Sequence, residues 1–465
     1  MIKFNRETLK DKIYACWMGK NIGGTMGTPY EGKRELNDIQ GFSTSKGVVL
    51  PNDDLDLQLI WLKAIEEKGP YNLNAQILGE YWINFIPPHW NEYGVNKGNM
   101  KAGLLPPLSG DFQNDWKDSN GAWIRSEIWA CLAPGCPDIA IKYAVEDACV
   151  DHGMGEGTYA EIFTAAIESA AFVISDIREL INIGLSKIPE NCRIARSIKI
   201  LTEAYDNGVD WKTARNLLVE DSKDLGWFQA PANVAFTMLG MLYGQGDFKK
   251  SMIYAINCGD DTDCTGATLG ALFGIMHGTK IIPEDWSSYI GDQIVTVAVD
   301  RGSCYGLPGT CAELTERVLA MAPVVLKANQ ADVVIHEGPD YIDEHSINGL
   351  KNPAVGMEIC SRSGKSYSVD FIYARATVEF VDDPVIEPLG ELNVKLTFYN
   401  QMPDSKHLHL RWLLPDGWTV KGRKDVFLKN ISPDNRPDGK ISEVNITITA
   451  GESVQPINRI ILEVT

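Results

Sequence analysis

The spacing of apolar residues changes once along this chain, and that change constrains the fold more than any other feature. From residue 8 to about 330 apolar positions return every three or four residues, as in Leu55, Leu59, Leu62 and Ile65, or Tyr159, Ile162, Phe163, Ala166 and Ala170. Such a stripe faces a single core only on a helix. After residue 350 the period is two: Leu392 to Phe398, His407 to Trp412 and Val444 to Ile448 alternate apolar with polar residues, the pattern of half-buried antiparallel strands. Turn-rich stretches such as Met402-Pro403-Asp404-Ser405 and Leu414-Pro415-Asp416-Gly417 separate them. The spacing predicts an all-α multi-helix domain over residues 1–335 and a small antiparallel β-sandwich over 350–465. A linker is expected within 330–350, where Glu337-Gly338-Pro339-Asp340 interrupts both periods. A length of 465 residues suits two such units better than one core.

Small residues stud the helical part, as Ala165-Ala166, Ala170-Ala171 and the series Gly266, Gly270 and Gly274. Glycine inside a helix costs about 1 kcal/mol against alanine. Three at a spacing of four therefore predict a second backbone packed on that face.

With 62 acidic against 43 basic residues the formal net charge is −19, which excludes binding to nucleic acid through a broad basic surface. The first residues, Met1 to Glu7, hold no apolar run of the kind a secretory signal needs, and no later stretch has the length and apolarity of a membrane span. A cytoplasmic protein without a membrane partner is expected. Ten cysteines are scattered without a Cys-x-x-Cys pair, so neither a zinc framework nor a redox motif is indicated. The oligomeric state is left open.

Some of the carboxylates are gathered at two places. Pro51-Asn52-Asp53-Asp54-Leu55-Asp56 immediately precedes an amphipathic run, and Gly259-Asp260-Asp261-Thr262-Asp263-Cys264-Thr265-Gly266 opens the segment bearing the glycine series. Asn and Asp are good helix caps and favour the positive end of a helix, so capping is one reading of each cluster. The other is a cation. Adjacent carboxylates repel unless something positive lies among them, and Asp261 and Asp263 with Thr262 or Thr265 offer the hard oxygens that Mg²⁺ or Ca²⁺ prefers. Two acidic helix starts in one helical domain point to a shared site.

These residues carry a family resemblance. Gly259 to Gly274 resembles the signature of the ADP-ribosylglycohydrolases, in which an Asp-x-Asp segment opens a glycine- and alanine-rich helix and ligates two magnesium ions. Three more segments are similar and in the same order: residues 15–31, resembling the family's opening glycine-rich helix and loop; Asn52-Asp53-Asp54, resembling its first metal motif; and Asn120 to Arg125 with Asp151-His152-Gly153, resembling its substrate-binding stretch. The resemblance covers roughly residues 10–320 and leaves the sandwich unexplained.

By position it implies Asp53, Asp54, Asp261 and Asp263 as metal carboxylates, with Asn52 in place of the usual threonine ligand. Cys264 stands where a threonine or serine usually completes the second site, and a thiol is a poor partner for a hard ion, so the resemblance implies either a weaker second metal or Thr265 or Asp260 as substitute. Gly24 replaces an aspartate common in the opening motif. Glu31 lies on the loop where some relatives carry a mobile catalytic glutamate; Asp111 is a second choice of general base. His152 would line the substrate cleft, and Gly121 and Ala122 would offer backbone N–H groups to phosphate. Arg125 is expected to pair with a buried carboxylate.

The implied activity is a metal-dependent glycohydrolase, using Mg²⁺ with Mn²⁺ or Ca²⁺ as alternatives. It would cleave an N- or O-glycosidic bond at the anomeric carbon of ADP-ribose on a protein side chain or small molecule. Two alternatives stand beside it: the same metal site acting on another sugar or nucleoside glycoside, and a non-catalytic ligand-binding protein that keeps the fold. For the former, Trp82, Trp90, Trp116, Trp123, Trp129 and Trp227 are candidates for a sugar pocket, and Trp412 and Trp418 are expected at the sandwich surface.

Overall fold

A computed structural model describes residues 1–429 and 441–465. The helical part begins with a long helix, Arg6–Gly27, capped by Asn5, whose side chain accepts the Glu7 and Thr8 N–H groups. This helix runs antiparallel to Thr262–His277, the helix with the glycine series. Their backbones touch at one-turn intervals. A β-carbon added at Gly19 would lie 2.1 Å from the Gly270 carbonyl oxygen, at Gly23 2.0 Å from that of Gly266, at Gly27 2.3 Å from that of Thr262, and at Gly274 2.2 Å from that of Ala15. Side chains at these steps would hold the helices apart, so both contribute glycine, and the register between them is fixed.

The apolar stripes read from the sequence lie where their period puts them. Leu55, Leu59, Leu62 and Ile65 are buried in the helix Asp53–Lys68, and Ile162, Phe163, Ala166 and Ala170 in the helix Glu156–Ala171. Among the described residues no helix is long and apolar enough to cross a membrane.

The stretch expected as a linker has structure of its own. β1 (Ile2–Asn5) pairs in parallel with β2 (Val333–His336) and antiparallel with β3 (Tyr341–Ile342). Ile2, Phe4 and Val333 belong to the helical core, as do Leu350 and Ile359 further along. Strand pairing between residues more than 300 apart leaves no periodic trace in so short a segment, which is why the alternation there was not legible.

Two sheets follow. β4 (Ser366–Asp370), β5 (Ala374–Phe380), β6 (Glu391–Asn400), β10 (Ile441–Thr449) and β8 (Thr419–Lys421) form one, in that spatial order. β11 (Ile461–Val464), β7 (Lys406–Leu413) and β9 (Asp425–Leu428) form the other. Across β6 and β10, Leu392 opposes Ile448, Val394 opposes Ile446 and Leu396 opposes Val444; all six are buried against Leu408, Leu410, Val426 and Leu428 of the second sheet. The expected surface position of Trp418 is overturned: it is 6% exposed and packed in this core, while Trp412 is half-buried. The sandwich touches the helical domain through Arg362 and Glu146, and through Gln76 donating to the Ser368 carbonyl.

Candidate active site

The close helix pair explains how distant acidic segments meet. Where Arg6–Gly27 ends, the chain turns through Thr28–Tyr30 and Glu31 alongside the start of its antiparallel partner. The two segments are stitched by backbone hydrogen bonds, Gly32 N–H to Asp260 O at 2.9 Å and Asp260 N–H to Lys33 O at 2.8 Å. Gly259 and Asp260 reach this position with φ of 80° and 67°, and a β-carbon at Gly259 would meet the Glu35 carbonyl at 2.2 Å. Ligand-type oxygens of Glu31, Asp261 and Asp263 consequently lie within 4.8 Å of one another.

The first acidic cluster arrives on the helix Asp53–Lys68. Asn52 caps it, its side chain accepting the Asp54 N–H at 2.8 Å. The cap fits because residue 24 is glycine: a β-carbon there would lie 1.9 Å from Asn52 Nδ2. Asp54, Asp263 and Cys264 form a second triad, again within 4.8 Å, with Cys264 Sγ donating to Asp54 Oδ1 at 3.3 Å. Asp263 is common to both triads. Asp53 accepts a hydrogen bond from the Tyr93 hydroxyl at 2.8 Å.

A cavity of about 310 Å³ opens on this cluster, lined by Glu31, Asp53, Asp261, Asp263 and Cys264 together with Trp90, Asn91, Glu92, Tyr93, Ser119, Asn120, Gly121, Ile124 and Phe228. Its electrostatics are unbalanced. Burial, reinforced by Asp263, pushes the Asp53 carboxyl up to about 6, and burial drives Asp54 and Asp261 well above the ordinary carboxylate range. The charge of Asp263, with burial second, pushes Glu31 at the rim up to about 8. Lys20 acts on Asp54 and Asp263, but its ammonium is already paired with Glu127 at 2.6 Å. Asp54 Oδ2, Asp261 Oδ1 and Asp263 Oδ1 are buried and receive no hydrogen bond among the described residues. Buried carboxylate oxygens without donors are costly, and hard divalent cations are the partners that such a donor set fits.

Several expected site residues lie elsewhere. Thr265 is turned away and donates its hydroxyl to the Thr262 carbonyl, so the helix presents Cys264, not Thr265, to Asp54. Asp260 accepts the Phe228 N–H at 3.1 Å and faces Arg34, which commits it to the turn. Asn52 is a helix cap rather than part of the wall. Asp111 pairs with Lys117 at 2.9 Å and packs against Gly153 and Gly364, away from the cavity. His152 is fully buried behind the wall, its Nε2 3.1 Å from Ser119 Oγ and its Nδ1 2.9 Å from Asp151 Oδ1. Gly121 is on the wall and Ala122 is buried beside it. Arg125 pairs with Asp147 and Asp151 at 2.9 and 2.7 Å. Asp56 holds the loop at Val297 and Ala298 through their N–H groups. Of the tryptophans considered for a sugar pocket, Trp90 lines the cavity, whereas Trp82, Trp123 and Trp129 are fully buried in the core.

Glu92 and Tyr93 were not anticipated. A glutamate at the start of a short polar helix, Asn91–Lys101, gives no sequence sign of burial. Gly121 provides the room: a β-carbon there would lie 2.1 Å from Glu92 Oε1. The other oxygen, Oε2, is buried and unpartnered among the described residues.

Fold and cleft together define a multi-helix domain, edged by one small sheet, with a carboxylate-lined pocket, followed by a β domain. The ADP-ribosylglycohydrolase family model matches residues 5–317, and the chain belongs to that family. Among solved structures it is similar to one described as an ADP-ribosylglycohydrolase-related protein complex, at 17% identity and a TM-score of 0.46, covering 69% of this chain and 99% of that one. No curated protein matches the sequence.

Proposed function

We propose that the protein is a cation-dependent glycohydrolase that cleaves an N- or O-glycosidic bond at the anomeric carbon of ADP-ribose carried by a protein side chain or a small molecule. The observation that supports this most is the convergence of Glu31, Asp53, Asp261 and Asp263 on one cavity, with Asp54 joined to them through its triad with Asp263 and Cys264, and unsatisfied buried oxygens on Asp54, Asp261 and Asp263. Asp53, Asp54, Asp261 and Asp263 would hold the cations, Mg²⁺ in this reading, with Mn²⁺ or Ca²⁺ as alternatives. When bound, they supply positive charge that orients ribose hydroxyls and water and offsets charge at the reacting centre.

The chain's own residues do the remainder. Glu31, at the rim beside Asp261 and Asp263, takes the proton from the attacking water as the water oxygen bonds to the anomeric carbon through an oxocarbenium-like state; the leaving atom departs with the bonding pair and takes up a proton from solvent. Trp90 and Phe228 offer aromatic faces to a ring of the substrate, and the Gly121 segment borders the space for its polar part. The reading places the protein in the cytoplasm, with an ADP-ribosylated substrate and no nucleic-acid or membrane partner.

The test is a hydrolysis panel of ADP-ribosyl-arginine, ADP-ribosyl-serine and an unrelated N- or O-glycoside, run with wild type and Asp263→Asn. Turnover of an ADP-ribosyl compound that Asp263→Asn abolishes without loss of fold supports the assignment; turnover of the unrelated glycoside alone moves it to another sugar. Cation-dependent thermal stabilisation with no turnover across the panel contradicts catalysis and favours a ligand-binding protein.

A further inference from the structure

The two triads that share Asp263 differ in chemistry. Glu31, Asp261 and Asp263 offer only carboxylate oxygens, whereas Asp54, Asp263 and Cys264 offer two carboxylates and a sulfur. We infer that the paired site is mixed: Asp261 and Asp263, beside Glu31, take a hard cation, and Asp54, Asp263 and Cys264 take a thiophilic borderline cation of the Zn²⁺ class. This rests on the proposed cation-dependent reading and refines it at one position.

Three features support it. Cys264 Sγ is 3.3 Å from Asp54 Oδ1 and within 4.8 Å of an Asp263 oxygen, so one ion could contact all three without backbone movement. Asp54 Oδ2 and Asp263 Oδ1 are buried and lack donors, so the sulfur is accompanied by two oxygens that need a positive partner. Asp263 and Cys264 also line the cavity, which leaves a coordination position open to it. Three protein ligands and one open position are the arrangement of a catalytic zinc site. Thiolate donors favour Zn²⁺ or Co²⁺ over Mg²⁺, which holds its waters and prefers oxygen. Coordination replaces the thiol proton, which passes to solvent. Thr265 does not compete, because its hydroxyl is spent on the Thr262 carbonyl.

The test is titration of the metal-free full-length chain with Co²⁺, read by absorption, in wild type and Cys264→Ser. A sulfur-to-cobalt charge-transfer band in wild type, absent from Cys264→Ser while Co²⁺ still binds, supports the inference. So does a fall of about tenfold or more in the ratio of Zn²⁺ to Mg²⁺ affinity in that variant. X-ray absorption at the zinc edge of the wild-type protein asks the same question without a substitution: one sulfur in the first shell supports the mixed site. A shell of oxygens alone, or a cobalt spectrum without the sulfur band, overturns the thiol assignment and leaves the proposed function standing. A chain that binds none of Mg²⁺, Zn²⁺ or Co²⁺ contradicts both.

Discussion

The β-carbon position of residue 24 lies 1.9 Å from the amide nitrogen of Asn52, so glycine at the one site is what admits asparagine at the other. Asn52 in turn orients the helix start that carries Asp53 and Asp54. Gly24 and Asn52 are sterically matched.

Gly24→Ala tests this. Displacing Asn52 removes a helix cap worth about 1 kcal/mol, while alanine in place of a helical glycine returns about 1 kcal/mol. Thermal stability is therefore expected to change little while divalent-cation affinity falls, and Gly24→Ala combined with Asn52→Gly should recover part of that affinity. Calorimetric titration of the three proteins decides it; unchanged affinity in Gly24→Ala would disprove the coupling.

Gly19→Ala addresses the register of the long helices. The added carbon would lie 2.1 Å from the Gly270 carbonyl, and neither backbone is free to yield. Overpacking costs about 1–3 kcal/mol, and the upper end is expected because backbone, not a side-chain tip, must shift. Urea unfolding checks the sign: a net gain near the 1 kcal/mol of helix propensity alone would show that the contact does not set the packing.

How much was legible follows the same physics. The glycine spacing announced that a backbone would press on Thr262–His277, but not which one, because the glycines at 19, 23 and 27 gain meaning only once the two helices are paired. Asp53, Asp54, Asp261 and Asp263 were legible as clusters, since helix starts are local features. Glu92, Tyr93 and Phe228 were not: they reach the cavity by tertiary placement, and nothing in their neighbours' period marks a wall. Asp111 and Thr265 misled because their residue types suited the chemistry while their local hydrogen bonding turned them elsewhere.

Arg125 offers a stability prediction. It is fully buried between Asp147 and Asp151, with its guanidinium 4.8 Å from the centre of the Trp82 ring. Removing one member of a buried charge cluster strands the others, at about 3–5 kcal/mol. Arg125→Met is expected to lose that much in denaturant unfolding; a loss below about 1 kcal/mol would mean that Asp147 and Asp151 find other partners.

Glu92 gives a pH signature. Burial raises its carboxyl from 4.5 in the unfolded chain to about 7. Between those values the folded state holds a proton that the unfolded state has released, so this group's contribution falls as pH rises through the window. In metal-free protein, Glu92→Gln should be stabilised relative to wild type increasingly from pH 4.5 to 7, followed by unfolding at each pH. Parallel pH profiles for the two proteins would contradict the burial argument.

The most direct measurement of the central claim is calorimetric titration of metal-free wild type, Asp54→Asn and Asp263→Asn with Mg²⁺ and Zn²⁺. These carboxylates stand on different helices yet belong to one triad, so either substitution should weaken the same binding event, with the double variant little worse than the stronger single. Binding of both ions left undiminished in either single variant, or losses that simply add, would mean that the two helix starts do not share a cation.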